Sequence, residues 1–226
     1  MKSRISPSMM CAGIDRLKEV LDVFKKEGIE YLHIDVMDGV FVPNYTLGTD
    51  YVKQLRQLTD IPLDIHLMIE RPEDKVLWFE PQPGDYVSIH LESTPHVHRA
   101  LARIKTAGAR PMAALNPATH ITSVEYLLDE IDAILIMTVN PGYAGQAMIE
   151  PMINKIADLR CWLDNKGYKK IEIEVDGNVS FANAERMRKA GANIFVAGSS
   201  SVFKADLKLT DAIVKLREAV NENNDT

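Results

Sequence analysis

The segment Leu32-His33-Ile34-Asp35-Val36-Met37-Asp38-Gly39 reads as an apolar strand running into a turn, yet it carries a histidine and a carboxylate two residues apart. Side chains alternate between faces along a strand, so His33 and Asp35 share one face. The pattern returns in Leu63-Asp64-Ile65-His66-Leu67-Met68 and in Ile171-Glu172-Ile173-Glu174-Val175-Asp176-Gly177. Three strands ending in His or Asp predict a polar cluster on a shared rim. His33, Asp35, His66 and Asp176 offer two imidazoles and two carboxylates, a mixed N/O set that suits one divalent ion of the Zn, Mn, Fe or Co type. Magnesium suits it less, because it prefers oxygen ligands and retains water. Taken singly, each histidine reads better as a rim residue satisfied by a backbone carbonyl. Taken together the four resist that reading, since an uncompensated buried acid is costly or neutralises.

Asp35 and Asp176 belong to the second and seventh strand candidates, which face one another across the mouth if the sheet closes. Two carboxylates on opposite sides of a flat intermediate can remove a proton from one face and return one to the other, each contributing about 10²–10⁴-fold. An ion between them would polarise a carbonyl, hold a developing enediolate and keep both carboxylates mutually tolerable. The chemistry predicted is inversion at a carbon next to a carbonyl. Met37, Met68 and Met137 also fall at strand ends, where they either fill the core or wall the enediolate off from water.

The elements that must position these groups alternate from end to end. Strands are predicted over 4–9, 31–35, 63–67, 86–90, 110–114, 133–138, 171–175 and 194–197, several of them apolar at every position, as in a parallel sheet buried on both faces. Helices are predicted over 16–26, 50–58, 95–107, 123–129, 151–166, 181–190 and 209–220, with Gly28, Gly108, Gly167 and Gly191 as stop signals. Eight strand–helix units without a linker predict an α/β fold, a single (β/α)8 TIM barrel spanning residues 1–226. An open doubly wound sheet is the alternative, but no Gly-x-Gly-x-x-Gly follows the first strand. In a barrel the catalytic groups gather at the C-terminal strand ends, where His33, Asp35, His66, His90, Asn116 and Asp176 all fall.

Composition agrees with one soluble domain: 226 residues, 46% hydrophobic and 26% charged. The net charge of −6 argues against nucleic acid as partner. No apolar run approaches the roughly 20 residues needed to span a bilayer, so no membrane partner is expected. Cys11 and Cys161 fit no zinc or redox spacing and read as buried thiols of a reducing compartment. The opening Met1-Lys2-Ser3-Arg4-Ile5 lacks the apolar core of a signal peptide. A cytoplasmic protein is expected.

Glycine-rich loops cluster in the last third: Asn140-Pro141-Gly142-Tyr143-Ala144-Gly145-Gln146, then Asp176-Gly177-Asn178, then Gly198-Ser199-Ser200. Barrels often hold a substrate phosphate on the loops after their seventh and eighth strands. Glycine lets the backbone approach the anion and Ser199 or Ser200 adds a hydroxyl. The 140–148 loop, with Gly142 and Gly145 as hinges, is a candidate lid.

Ile5-Ser6-Pro7-Ser8, the run from His33 to Asn44, His66-Leu67-Met68, Met137-Thr138-Val139-Asn140-Pro141-Gly142, Val175-Asp176-Gly177 and Gly198-Ser199 together resemble the ribulose-phosphate 3-epimerases over nearly the whole chain. The resemblance implies a ribulose-phosphate-binding barrel, a cytoplasmic homo-oligomer acting on a small sugar phosphate, with one divalent metal ion per subunit. It implies His33, Asp35, His66 and Asp176 as metal ligands, Asp35 and Asp176 as the acid–base pair, and Ser8 and His66 in contact with substrate. Gly142, Tyr143, Ala144, Gly145, Asp176, Gly177, Asn178, Gly198 and Ser199 would hold the sugar phosphate, with Met37, Met68 and Met137 flanking the enediolate. The chain departs from the commonest family pattern at Leu115-Asn116-Pro117, at Tyr143-Ala144-Gly145-Gln146 and at Asn178, whose side chain falls where the phosphate should approach. The first two departures, with Leu159-Arg160-Cys161-Trp162 and Ile173-Glu174-Val175-Asp176, resemble the D-allulose-6-phosphate 3-epimerase branch. That makes D-allulose 6-phosphate the expected substrate and D-ribulose 5-phosphate the alternative. Barrel decarboxylases and hexulose-phosphate synthases use an Asp-x-Lys-x-x-Asp strand, but Met37 stands where that lysine would be. A non-catalytic sugar-phosphate binder would keep the glycine loops without needing both Asp35 and Asp176.

Overall fold

The computed structural model describes residues 1–221; residues 222–226, within the expected single domain, lie outside the described residues. Eight parallel strands form the wall: β1 (Arg4–Pro7), β2 (Leu32–Asp38), β4 (Leu63–Met68), β5 (Tyr86–His90), β6 (Arg110–Leu115), β7 (Ala133–Met137), β8 (Glu172–Asp176) and β9 (Ile194–Ala197). A two-residue strand, β3 (Tyr45–Thr46), lies antiparallel on the end of β2. The hydrogen-bonded order is β1-β9-β8-β7-β6-β5-β4-β2-β3, and a parallel bridge between Ser8 and His33 joins the two ends of the wall into a barrel. Closure therefore happens at two residues of the expected cluster.

Strand parity divides the core in two. Residues such as Ile34, Ile65, Val87, Ile134 and Ile173 point outward and pack beneath helices α1 (Leu17–Lys26), α2 (Thr49–Leu58), α4 (Val97–Thr106), α5 (Met152–Asn165), α6 (Phe181–Lys189) and α7 (Leu209–Val220). α1 shows the logic: Val20, Leu21 and Phe24 make a buried stripe at 3–4-residue spacing, and Gly28 (φ 63°) ends the run. The opposite parity points into the barrel. There β6, β7 and β9 contribute Met112, Ala114, Leu135 and Ile194, whereas β1, β2, β4, β5 and β8 contribute Ser6, His33, Asp64, Ser88 and Glu174. One half of the interior is apolar and the other half polar, with three titratable groups among the five.

At the N-terminal end of the barrel, Glu172 is clamped by Arg4 Nη1 (2.5 Å), Arg110 Nη2 (3.1 Å) and Asn193 Nδ2 (3.0 Å), and it also accepts from the Tyr86 hydroxyl. The Arg110 guanidinium covers the Tyr86 ring at 4.2 Å. This closes the end away from the expected site.

Three features differ from the sequence reading. Residues 121–130 form a 3₁₀ helix, Ile121–Glu130, whose start is capped by the His120 side chain accepting from the Thr122 N–H. A short helix α3 (Pro72–Lys75) and a 3₁₀ turn (Val76–Phe79) follow β4, bounded by Arg71 (φ 51°) and Glu80 (φ 47°); they are too short for a period to register. Cys161 is exposed on α5 and Cys11 only half-buried, so the expectation of two buried thiols fails: one lies on a helix face turned to solvent, the other at the barrel rim.

Candidate active site

β2, β4 and β8 bring their inward residues to one level. Asp35 sits beside His66 in the β2–β4 register, and Asp176 beside Met137 in the β7–β8 register. His33 Nε2 lies 3.2 Å from Asp35 Oδ1 and 4.0 Å from Asp176 Oδ2; His66 Nδ1 lies 3.4 Å from Asp35 Oδ1 and 3.7 Å from Asp176 Oδ2. Four ligands held about 2.1 Å from one tetrahedral ion are spaced about 3.4 Å apart. Two imidazole nitrogens and two carboxylate oxygens therefore converge as ligands of such an ion would. His66 Nδ1 is buried without a hydrogen-bond partner, an orphan that a cation between the carboxylates would satisfy. The residues present fit a divalent ion.

The supporting shell comes from one turn of the alternation below. His33 Nδ1 donates to Asp64 Oδ2 at 2.6 Å, which fixes the ring with Nε2 towards Asp35 as the atom that would be offered to an ion. Ser6 Oγ donates to the same Asp64 oxygen at 2.9 Å, and Ser8 Oγ donates to Asp35 Oδ2 at 2.7 Å. Glu174 lies 3.7 Å from His33 Nδ1.

Above the cluster opens a cleft of about 620 Å³. Ser8, Asp35, Met37, Met68, Met137, Gly142, Tyr143, Ala144, Gly145, Asp176, Gly177, Asn178, Gly198 and Ser199 all line it, as does Ser200. His33 and His66 do not; both are fully buried beneath its floor. His66, expected to touch the substrate, lies below the cleft surface with Nδ1 towards the carboxylates and Nε2 towards His90. Gly177 (φ 116°) is forced by its neighbours: a Cβ there would stand 2.7 Å from Val139 Cγ2 and 2.8 Å from Thr138 Oγ1. Asn178, at φ 47°, donates from Nδ2 to Gln146 O at 2.7 Å, while Asn183 Nδ2 donates to its Oδ1 at 3.0 Å. Asn44 Nδ2 donates to Gly142 O (2.8 Å) and Tyr143 OH to Pro43 O (2.5 Å). The candidate lid is thus tied to the loops after both β2 and β8.

Residues 4–203 match the ribulose-phosphate 3 epimerase family. The chain belongs to that family. It is 47% identical to the chloroplastic ribulose-5-phosphate-3-epimerase of Arabidopsis thaliana, over 87% of this chain and 70% of the relative. To the ribulose-phosphate 3-epimerases of Bacillus subtilis and Synechocystis it is 41% and 42% identical, over 91% and 95% of this chain and 94% and 93% of theirs. It is accordingly an isomerase of the epimerase class. The fold is also that of 3-hexulose-6-phosphate synthase from Salmonella typhimurium (TM-score 0.69, 14% identity, 96% of this chain and 98% of that one). Orotidine 5'-phosphate decarboxylase from Pyrococcus horikoshii shares it too (TM-score 0.66, 15% identity, 96% and 98%).

In this epimerase the two cleft carboxyls are electrostatically unlike. Burial pushes Asp35 up, but the charge and hydrogen bond of His33, with the His66 ring close by, outweigh it and hold the group well below the usual carboxylate range. Burial and the neighbouring Asp35 carboxylate push Asp176 up to about 7. One carboxyl held low and one raised towards neutrality on a single cleft is the pattern of a base and an acid. Beneath them, burial and the Asp64 carboxylate push Glu174 well above its ordinary value, which favours its neutral form. Sequence reasoning missed Ser6, Asp64 and Glu174 as supports. The signal was present: each lies two residues before a rim residue on the same strand face. Met10, Cys11, Val179 and Val196 also line the cleft and gave no signal, because nothing in their residue type distinguishes them from core.

Proposed function

We propose that this epimerase interconverts D-ribulose 5-phosphate and D-xylulose 5-phosphate by inverting C3 of the ketose phosphate. The observation that carries the reading is the convergence of Asp35 and Asp176, from the separate strands β2 and β8, on one cleft, one carboxyl low and one raised. One carboxylate takes the C3 proton as the C–H electron pair moves into the C2–C3 bond of a cis-enediolate; the other carboxyl delivers a proton to the opposite face. His33, Asp35, His66 and Asp176 would hold one divalent ion of the Zn, Mn, Fe or Co type, whose charge would polarise the ketone and offset the negative charge developing on its oxygen. Ser8 fixes the Asp35 carboxylate. Met37, Met68 and Met137 shield the reacting carbons from water. The loops at Gly142–Gly145, Gly177 and Asn178, and Gly198–Ser199 receive the phosphate. A non-catalytic binder would have no use for the acid pair.

The pentulose is favoured over the expected D-allulose 6-phosphate because the relatives named above are ribulose-phosphate epimerases, and the residues that suggested the six-carbon branch lie away from the acid pair. The cytoplasmic setting and the homo-oligomeric state belong to the same proposal. The test is turnover of D-ribulose 5-phosphate and D-allulose 6-phosphate on one metal-replete sample, with solvent deuterium incorporation followed at C3. Faster turnover of the pentulose with C3 labelling supports the reading; preference for the hexulose, or C–C cleavage products, overturns it.

A further inference from the structure

His90, at the inward end of β5, is fully buried and takes no part in the chemistry above. Its Nε2 lies 2.8 Å from His66 Nε2, with the two rings stacked at 5.0 Å between centroids and Phe41 against the His90 ring at 4.8 Å. Two ring nitrogens this close cannot both carry hydrogen, so one donates and the other accepts. The far side of His90 decides which. His90 Nδ1 makes no hydrogen bond and lies 3.4 Å from Glu92 Oε2; His66 Nδ1 lies the same 3.4 Å from Asp35 Oδ1, but that oxygen is already faced by His33 Nε2 at 3.2 Å. A carboxylate only accepts, so the hydrogen of a neutral His90 belongs on Nδ1 and leaves Nε2 bare.

Glu92 is itself held in place. The Asn116 N–H donates to Oε1 at 3.0 Å, and the Thr119 hydroxyl donates to the same oxygen. Burial pushes the Glu92 carboxyl up, but the nearby His90 ring and the hydrogen bonds from Thr119 and the Asn116 N–H bring it down to about 2. Lys155 Nζ, from α5, donates to Asn116 O at 2.7 Å and Pro117 O at 3.2 Å, steadying the segment that supplies that N–H. Each contact fixes the next one inward.

We propose that Glu92 and His90 are positioning residues that preset the tautomer of His66: His66 Nε2–H donates to His90, and the bare Nδ1 is thereby aimed between Asp35 and Asp176. This rests on the metal-site reading above but concerns the chain's own hydrogen placement. His33 and His66 then reach the cluster by different routes, one fixed by a carboxylate inside the barrel and the other from the rim through a second imidazole. Outer partners of this kind set metal affinity by about 10–100-fold.

The test begins with the full-length, chelator-stripped wild-type chain labelled with ¹⁵N-histidine. Two-bond ¹H–¹⁵N correlations are expected to show His66 as the Nε2–H tautomer; an Nδ1–H tautomer overturns the inference whether or not metal binding is ever seen. Zn²⁺ affinity is then measured by chelator competition. His90→Leu, which removes the acceptor, is expected to weaken Zn²⁺ binding about 10–100-fold and shift His66 towards Nδ1–H, and His90→Gln, which restores an acceptor, to recover much of both. Glu92→Ala, at the rim, is expected to act in the same direction as His90→Leu and more weakly. Unchanged affinity and tautomer in folded His90→Leu would refute the relay. A wild-type chain with the Nε2–H tautomer and no Zn²⁺ affinity would instead sink the metal reading and leave the relay standing.

Discussion

Asp176→Asn separates what the raised carboxyl does for chemistry from what it does to the fold. In the metal-free protein its value rises from an ordinary 3.8 to about 7, through burial first and the Asp35 charge second. A carboxyl raised in the folded state binds its proton more tightly there than in the unfolded chain. Its burden on stability is therefore absent below about pH 4, grows as pH climbs, and is complete above about pH 7. At about 1.4 kcal/mol per pKa unit the ceiling is about 4 kcal/mol. The side chain keeps 18% of its exposure, so water screens part of that, and roughly 2–4 kcal/mol is the expected gain when a neutral amide replaces it at pH 8. For a chain of this length that corresponds to a melting temperature roughly 5–10 °C higher. Thermal unfolding of both proteins in EDTA between pH 5 and 8.5 is the assay. The variant should melt higher at pH 8, with the gap shrinking towards pH 5, while its epimerase turnover falls by at least 10²-fold. A gap that is absent, reversed or independent of pH would refute the electrostatic reasoning.

Ser8→Ala removes the 2.7 Å hydrogen bond to Asp35 Oδ2; a bond to a charged group is worth about 1.5–3 kcal/mol, so kcat should drop roughly tenfold or more in steady-state assays while the melting temperature changes little. Tyr86→Phe should do the opposite, destabilising the fold by about 1.5–3 kcal/mol in denaturant titrations through loss of a donor to buried Glu172, with kcat intact. Asn178→Gly keeps the left-handed backbone and loses the tie to Gln146, whereas Asn178→Ala loses both, at about 1–2 kcal/mol for the backbone alone. Both should raise KM for the sugar phosphate, and only the alanine variant should also melt lower.

The barrel was legible because its signals are local and repeated. Short apolar strands recur eight times and glycine stops four times, and observed strands such as Tyr86–His90 and Ile194–Ala197 coincide with the expected spans. The cluster was legible for the same reason, since His33, Asp35, His66 and Asp176 each interrupt an apolar strand. What remained hidden needed a third dimension. Alternation puts Asp64 and Glu174 on the inward face, but nothing along the chain says that the two lie either side of His33. The orientation of Asn178 depends on a carbonyl 32 residues away. The short helix after β4 is bounded by two non-glycine residues at positive φ, which residue type alone does not announce.

Strand β8 sets three acids on one inward face, Glu172, Glu174 and Asp176, and treats them differently: the first sits low among two arginines, the second is pushed towards its neutral form, and the third balances near pH 7. Depth along the barrel axis thus works as a graded scale on which identical chemistry takes different charge. Sliding this strand by two residues would leave two of the three inward positions acidic, bring Lys170 or Asn178 to the third and scramble the charge at each depth, so an engineer transplanting the acid pair must carry over its height in the barrel as well as its residues.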